Sequence, residues 1–124
     1  MPFIKVSANV KRESVDTEVV LKTISKSLSD VLNRPEEYFM VQLALDEDLL
    51  FATSPDPCAF VLIRSVGNID AERNPKTVAV LTTIVSKELS VPVDRVFVNL
   101  DDIAPHNWGA TGTPPKDIRA PAFL

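Results

Sequence analysis

One cysteine, one histidine and three glycines are all that the 124 residues hold of these types. A lone thiol closes no internal disulfide, and Cys58 with His106 makes no cluster spaced for a metal; no cofactor is expected. Cys58 sits in Pro57-Cys58-Ala59-Phe60 at the head of an apolar run, where free cysteine behaves as a small buried hydrophobe. Positive charge is also short. Thirteen Lys and Arg against seventeen Asp and Glu give a net charge of −4, which offers a phosphate backbone no general attraction and argues against nucleic acid as a partner. No apolar run is long enough to span a bilayer, and the first residues lack the charged and apolar regions of a secretory leader. A cytoplasmic start is expected.

What is present suits one hydrophobic core: 45% of residues are hydrophobic and 24% charged, normal for a globular domain of this length. Phe3, Ile4 and Val6 give a short strand leading to Asn9 and the polar Lys11-Arg12-Glu13. Ser14 is a candidate N-cap. Val20, Leu21, Ile24, Leu28, Val31 and Leu32 then recur at helical spacing, and Asn33-Arg34-Pro35 ends that helix. Residues 39–45 read as a second strand, the apolar run 58–63 as a third buried on both faces, and 96–100 as a fourth. Between the last two, Val78, Leu81, Val85 and Leu89 mark a second helix that Ser90-Val91-Pro92 ends. Two glycines and four prolines beyond Ile103 predict a loose tail with at most short strands.

The halves repeat. A shift of 57 positions lays Phe3-Ile4-Lys5-Val6 on Phe60-Val61-Leu62-Ile63, Leu21 and Ile24 on Val78 and Leu81, Pro35 on Pro92, and Val41-Gln42-Leu43 on Val98-Asn99-Leu100. A β-α-β unit written twice predicts an α+β fold: a four-stranded mixed sheet with two antiparallel helices on one face, because parallel strands need a helical crossover. The other face is left bare. Strands this apolar predict a large hydrophobic patch there, and so a homo-oligomer closed around it.

The opening Met1-Pro2-Phe3 carries a chemical option. Were Met1 removed, Pro2 would present a secondary amine near the reference range of about 7.7–8.0 for α-amines, and burial or a nearby cation would shift it toward the free base. The dipeptide by itself favours an ordinary edge-strand start, where proline is tolerated. Arg34 taken alone reads as a solvated cation at a helix C-terminus. Tyr38 and Phe39 read as core, and Trp108 as an anchor for the tail.

Several motifs together resemble the family of macrophage migration inhibitory factor and D-dopachrome tautomerase. They are Met1-Pro2-Phe3-Ile4 with Asn9; Arg34-Pro35 with Tyr38; Ser54 to Ala59; Ser65-Val66-Gly67 with Ile69; and Asp94-Arg95-Val96-Phe97-Val98-Asn99. The resemblance runs over residues 1–113, with 114–124 as a C-terminal tail. It implies a homotrimer with sites between subunits and a keto–enol tautomerase acting on phenylpyruvate-like or dopachrome-like compounds. It also implies that Pro2 is the catalytic base and that Arg34, where the family usually has lysine, holds a substrate carboxylate. Ser65, Val66, Tyr38, Phe3, Phe97 and Trp108 would line the site, and Asn99 would come from the neighbouring subunit. Cytokine-like signalling through a cell-surface receptor, after export without a leader, is the alternative role it implies. Phe97 stands where many members carry tyrosine, and Ala110 where an aromatic caps the pocket. The family's Cys-x-x-Cys is broken, since Val61 follows Cys58, so no thiol–disulfide activity is expected.

Overall fold

The computed structural model describes residues 1–110 and Gly112; the expectation of a separate tail at 114–124 lies outside the described residues. Four strands, β1 (Phe3–Ala8), β2 (Met40–Ala44), β3 (Ala59–Ser65) and β4 (Val96–Asp102), form one sheet in the order β2-β1-β3-β4. β1 runs parallel to β2 and antiparallel to β3, which is parallel to β4. The helices α1 (Thr17–Leu32) and α2 (Asn74–Leu89) are the two crossovers. Since β1 and β3 are antiparallel, so are the helices that return from them.

The repeat is visible in three dimensions. A shift of 57 carries the bounds of α1 onto those of α2. Lys5 and Leu62, related by the same shift, are paired across β1 and β3, with Ile4 opposite Ile63 and Val6 opposite Val61. A local two-fold axis therefore passes between Lys5 and Leu62. Both helices end alike. Asn33 and Ser90 take the left-handed conformation (φ 52° and 56°), and the next amides, of Arg34 and Val91, donate to the carbonyls of Ser29 and Ser86, each at 3.2 Å. These bonds satisfy carbonyls that a helix C-terminus leaves open.

The core lies between sheet and helices. Val20, Ile24, Leu28 and Leu32 from α1 and Leu81, Val85 and Leu89 from α2 pack on Ile4, Val6, Leu43, Val61 and Ile63. Cys58 is buried in the body, as its apolar setting suggests. Three sequence expectations shift. The N-cap of α1 is Asp16, whose Oδ1 accepts from Val19 N at 3.3 Å; Ser14 belongs to a separate 3-10 turn, Arg12–Ser14, and its hydroxyl bonds Lys11 O. Thr77, not Val78, starts the buried stripe of α2. The bare sheet face is mixed rather than a continuous apolar patch. Phe3, Met40, Phe60, Leu62 and Phe97 share it with Lys5, Gln42, Arg64, Asn99 and Asp101, because the apolar runs contribute residues to both faces. Arg64 and Asp101 form an ion pair there at 3.8 Å.

The segment 51–57 is shaped by two side chains. Asn9 Nδ2 donates to Pro55 O and Asp56 O, and its Oδ1 accepts from Cys58 N. Arg95 donates to the carbonyls of Phe51, Ser54, Asp56 and Pro57. Asn9 and Arg95, both within family-like motifs, therefore hold a loop together. Among the described residues no helix is long and apolar enough to cross a membrane.

Candidate functional site

Pro35 ends the α1 segment and starts a 3-10 turn, Glu36–Tyr38, that folds the chain back over β1. Met40 N, just past the turn, donates to Pro2 O at 3.1 Å, which fixes the proline in register with β2. A second turn, Pro105–Asn107, delivers Trp108 to the same place. The result is a cavity of about 590 Å³ at the N-terminal end of β1, lined by Met1, Pro2, Phe3, Tyr38, Met40 and Trp108 with Glu37, Phe39, Arg64, Gly109 and Ala110. Its wall is mainly apolar, with a carboxylate and a guanidinium at the margin. Pro2 is fully buried and Met1 nearly so.

Met1 is present, so the Pro2 nitrogen is an amide here, and the amine that titrates in the site is that of Met1. Its pKa falls from the ordinary 8.0 to about 6, first through burial and second through the positive charge of Arg34. Both causes disfavour the ammonium form. Arg34 itself lines a second cavity, of about 450 Å³, with Val66, Gly67, Asp102, Ile103, Ala104 and Pro105. Its Nη1 donates to Asn33 O at 3.1 Å and its Nη2 to Asn68 Oδ1 at 2.8 Å. Ser65, buried at the end of β3, accepts from Ile103 N at 2.8 Å, and Gly67 N donates to Asp102 Oδ1 at 3.2 Å. These bonds close the loop after β3 against the end of β4, with buried Val66 between.

Of the residues expected in the site, Pro2, Phe3, Tyr38 and Trp108 therefore share one cavity, while Arg34 and Val66 share a second one and Ser65 supports it; the two are linked by the charge of Arg34 acting on the Met1 amine. Phe97 and Asn99 are not brought in within one chain. Phe97 is opposite Phe60, and Phe60 is opposite Ser7. Phe97 thus lies about four residues, on the order of 13 Å along the strands, from the Phe3 end. Its ring packs on Phe51 at 4.8 Å between centroids. Asn99 is exposed on the bare face, two residues nearer to the Phe3 end. Glu37, Met40, Arg64 and Asn68 were not anticipated. Alternation from Phe60 puts Arg64 on the bare face, but only the β1–β3 register, Phe3 opposite Arg64, brings it to the proline.

Comparison with known proteins agrees with this fold. The family model described as macrophage migration inhibitory factor (MIF) matches residues 1–114. The macrophage migration inhibitory factor of Xenopus laevis is 32% identical over 113 residues, which are 91% of this chain and 97% of that protein. The solved structure of the homologue from Prochlorococcus marinus superposes with a TM-score of 0.85 at 25% identity, covering 90% of this chain and 97% of that one. That of the factor from Trichinella spiralis gives 0.85 at 26%, covering 90% and 98%. With the fold, the repeat and the N-terminal cavity all inside the matched span, the chain belongs to the macrophage migration inhibitory factor family.

Proposed function

We propose that the protein is a keto–enol tautomerase of phenylpyruvate-like or dopachrome-like acids, working as a homotrimer with Pro2 as catalytic base once Met1 is removed. The observation that carries this reading is the full burial of Pro2 in a mainly apolar cavity, a setting in which burial and the charge of Arg34 push the Met1 amine down to about 6. Removal of Met1 would leave the Pro2 nitrogen as the amine exposed to the same two influences. The base takes a proton from the carbon next to the keto group and returns it to the oxygen, giving the enol; the reverse path runs through the same atoms. Arg34 holds the carboxylate of the substrate, while Tyr38, Phe3 and Trp108 enclose its ring. Asn99 and Phe97 enter from a neighbouring subunit.

The test is a tautomerase assay with enol-phenylpyruvate and a dopachrome ester, run beside an intact-mass measurement of the N-terminus. Protein lacking Met1 is expected to turn over, and Pro2→Gly to lose about 100-fold or more in kcat/KM, within the contribution of a general base. Equal rates for the two proteins remove Pro2 from the mechanism.

A cytokine-like ligand for a cell-surface receptor is the second reading. It is favoured by Phe97, whose ring offers no hydroxyl to a substrate and packs on Phe51, and by the name that its relatives carry. Binding to a receptor ectodomain that persists in Pro2→Gly would support it.

A further inference from the structure

Asn68 connects Arg34 to the helix behind it. Its Nδ2 donates to Leu32 O at 2.6 Å and its Oδ1 accepts from Arg34 Nη2 at 2.8 Å. The Leu32 carbonyl, in the last turn of α1, is one of those left without an intrahelical donor. One amide thus satisfies an open acceptor and aims a cation. Only one orientation of the amide works: flipped, it would set donor against donor at Arg34 and acceptor against acceptor at Leu32. The backbone of Arg34 is tied as well. Its N–H donates to Ser29 O at 3.2 Å, and its carbonyl accepts from Ser29 Oγ at 2.6 Å. Asn68 has φ 62°, a left-handed conformation that asparagine tolerates and most side chains do not. The position therefore combines a short amide with a backbone that few other residues adopt.

We propose that Asn68 is the positioning residue for Arg34, holding the guanidinium in place so that its unused N–H donors meet a substrate carboxylate. A guanidinium has five donors, and two are spent on Asn33 and Asn68. An arginine held in advance surrenders less side-chain freedom on binding than a loose one. Asn68 thereby sets the preference for carboxylate substrates without touching the reacting atoms. The proposal rests on the tautomerase reading above, and its test keeps the two apart.

Steady-state kinetics would be measured with a 2-keto acid and with its methyl ester, for the parent, Asn68→Gly, Arg34→Ala and the double variant. Glycine keeps the left-handed backbone while removing the amide. Asn68→Gly is expected to raise KM for the acid about 3- to 10-fold, as part of arginine's freedom is returned, with kcat changed less than about 2-fold and the ester unaffected. In the Arg34→Ala background it is expected to do nothing further. An unchanged KM for the acid, an equal rise for the ester, or the same rise without Arg34 overturns the proposal. Should Asn68→Gly not fold, Asn68→Asp carries the test. It tolerates the same backbone, and its carboxylate would occupy Arg34 and raise KM for the acid alone. A parent inactive on both substrates rejects the tautomerase reading instead. Asn68 is then judged by NMR relaxation of Arg34 Nε–H, where greater motion in Asn68→Gly supports positioning and unchanged motion overturns it.

Discussion

At the N-terminus two influences on one nitrogen act in the same direction, and that gives the proposed chemistry a pH signature. Burial is the larger cause and Arg34 the smaller in bringing the amine from 8.0 to about 6. With Met1 removed, the same burial and the same cation would act on the Pro2 amine. A base works only when neutral, so kcat/KM should rise with pH through an inflection below the ordinary α-amine range and level off above it. In Arg34→Ala the inflection should move up only part of the way toward 8.0, because burial remains; a pH–rate profile of each protein checks this. The stability linkage has the same sense. Between about 6 and 8.0 the unfolded chain binds the proton that the folded chain has lost, so stability gains with rising pH, and the full penalty applies below about 6. The resemblance picked out Pro2 and Arg34 in the sequence because they fall in ordered motifs, and the fold puts Pro2 in the apolar cavity with the charge of Arg34 acting on the amine beside it. Asn68 was not legible: an asparagine after Gly67 reads as a turn residue, and its bonds to Leu32 and Arg34 span 36 and 34 positions of the chain.

At the scale of elements, hydrophobic spacing and the 57-residue repeat made the helices and sheet order readable, since each half must bury one stripe on a shared sheet. Caps were less readable. Ser14 and Asp16 both suit an N-cap, and the choice fell to Asp16 because Arg12–Ser14 closes its own turn, with Arg12 N held by Asp46 Oδ2. The left-handed C-caps were written in the sequence only as an asparagine and a serine. They differ in strain, which gives a test. Serine at φ 56° carries about 1–2 kcal/mol that glycine would not, offset by about 0.4–1 kcal/mol for the freer unfolded chain. Ser90→Gly should therefore stabilise the fold by roughly 0.5–1 kcal/mol, read as a higher urea midpoint at unchanged slope. Asn33→Gly should gain less, because asparagine already tolerates this conformation. The repeat also marks where function departed from it. Shifted by 57, Arg34 falls on Val91, which is buried, and Tyr38 falls on Arg95. One copy of the unit carries the candidate site residues at the positions where the other carries core and loop support.

For the whole molecule the question is what completes the cavity. Pro2, Phe3, Tyr38 and Trp108 meet in one chain, but Phe97 and Asn99 face out from the bare sheet. The sequence suggested that this face associates because it is greasy. Its residues are instead interleaved apolar and polar, which suits a specific neighbour better than indiscriminate burial. If the site is shared between subunits of a cyclic trimer, damage to its two sides should complement. Pro2→Gly disables the base in its own subunit, and Asn99→Ala disables the side lent to the next. Each homotrimer would then be impaired at all three sites. Unfolded together in equal amounts and refolded, three quarters of trimers would be mixed, each with one site made of two undamaged halves. Activity should therefore return to about one quarter of the parent's. Sedimentation equilibrium of the same sample reports the trimer. A mixture no more active than the mean of the separate variants, or a fully active monomer, would mean that one chain builds the whole site and that Asn99 has no part in its neighbour's chemistry.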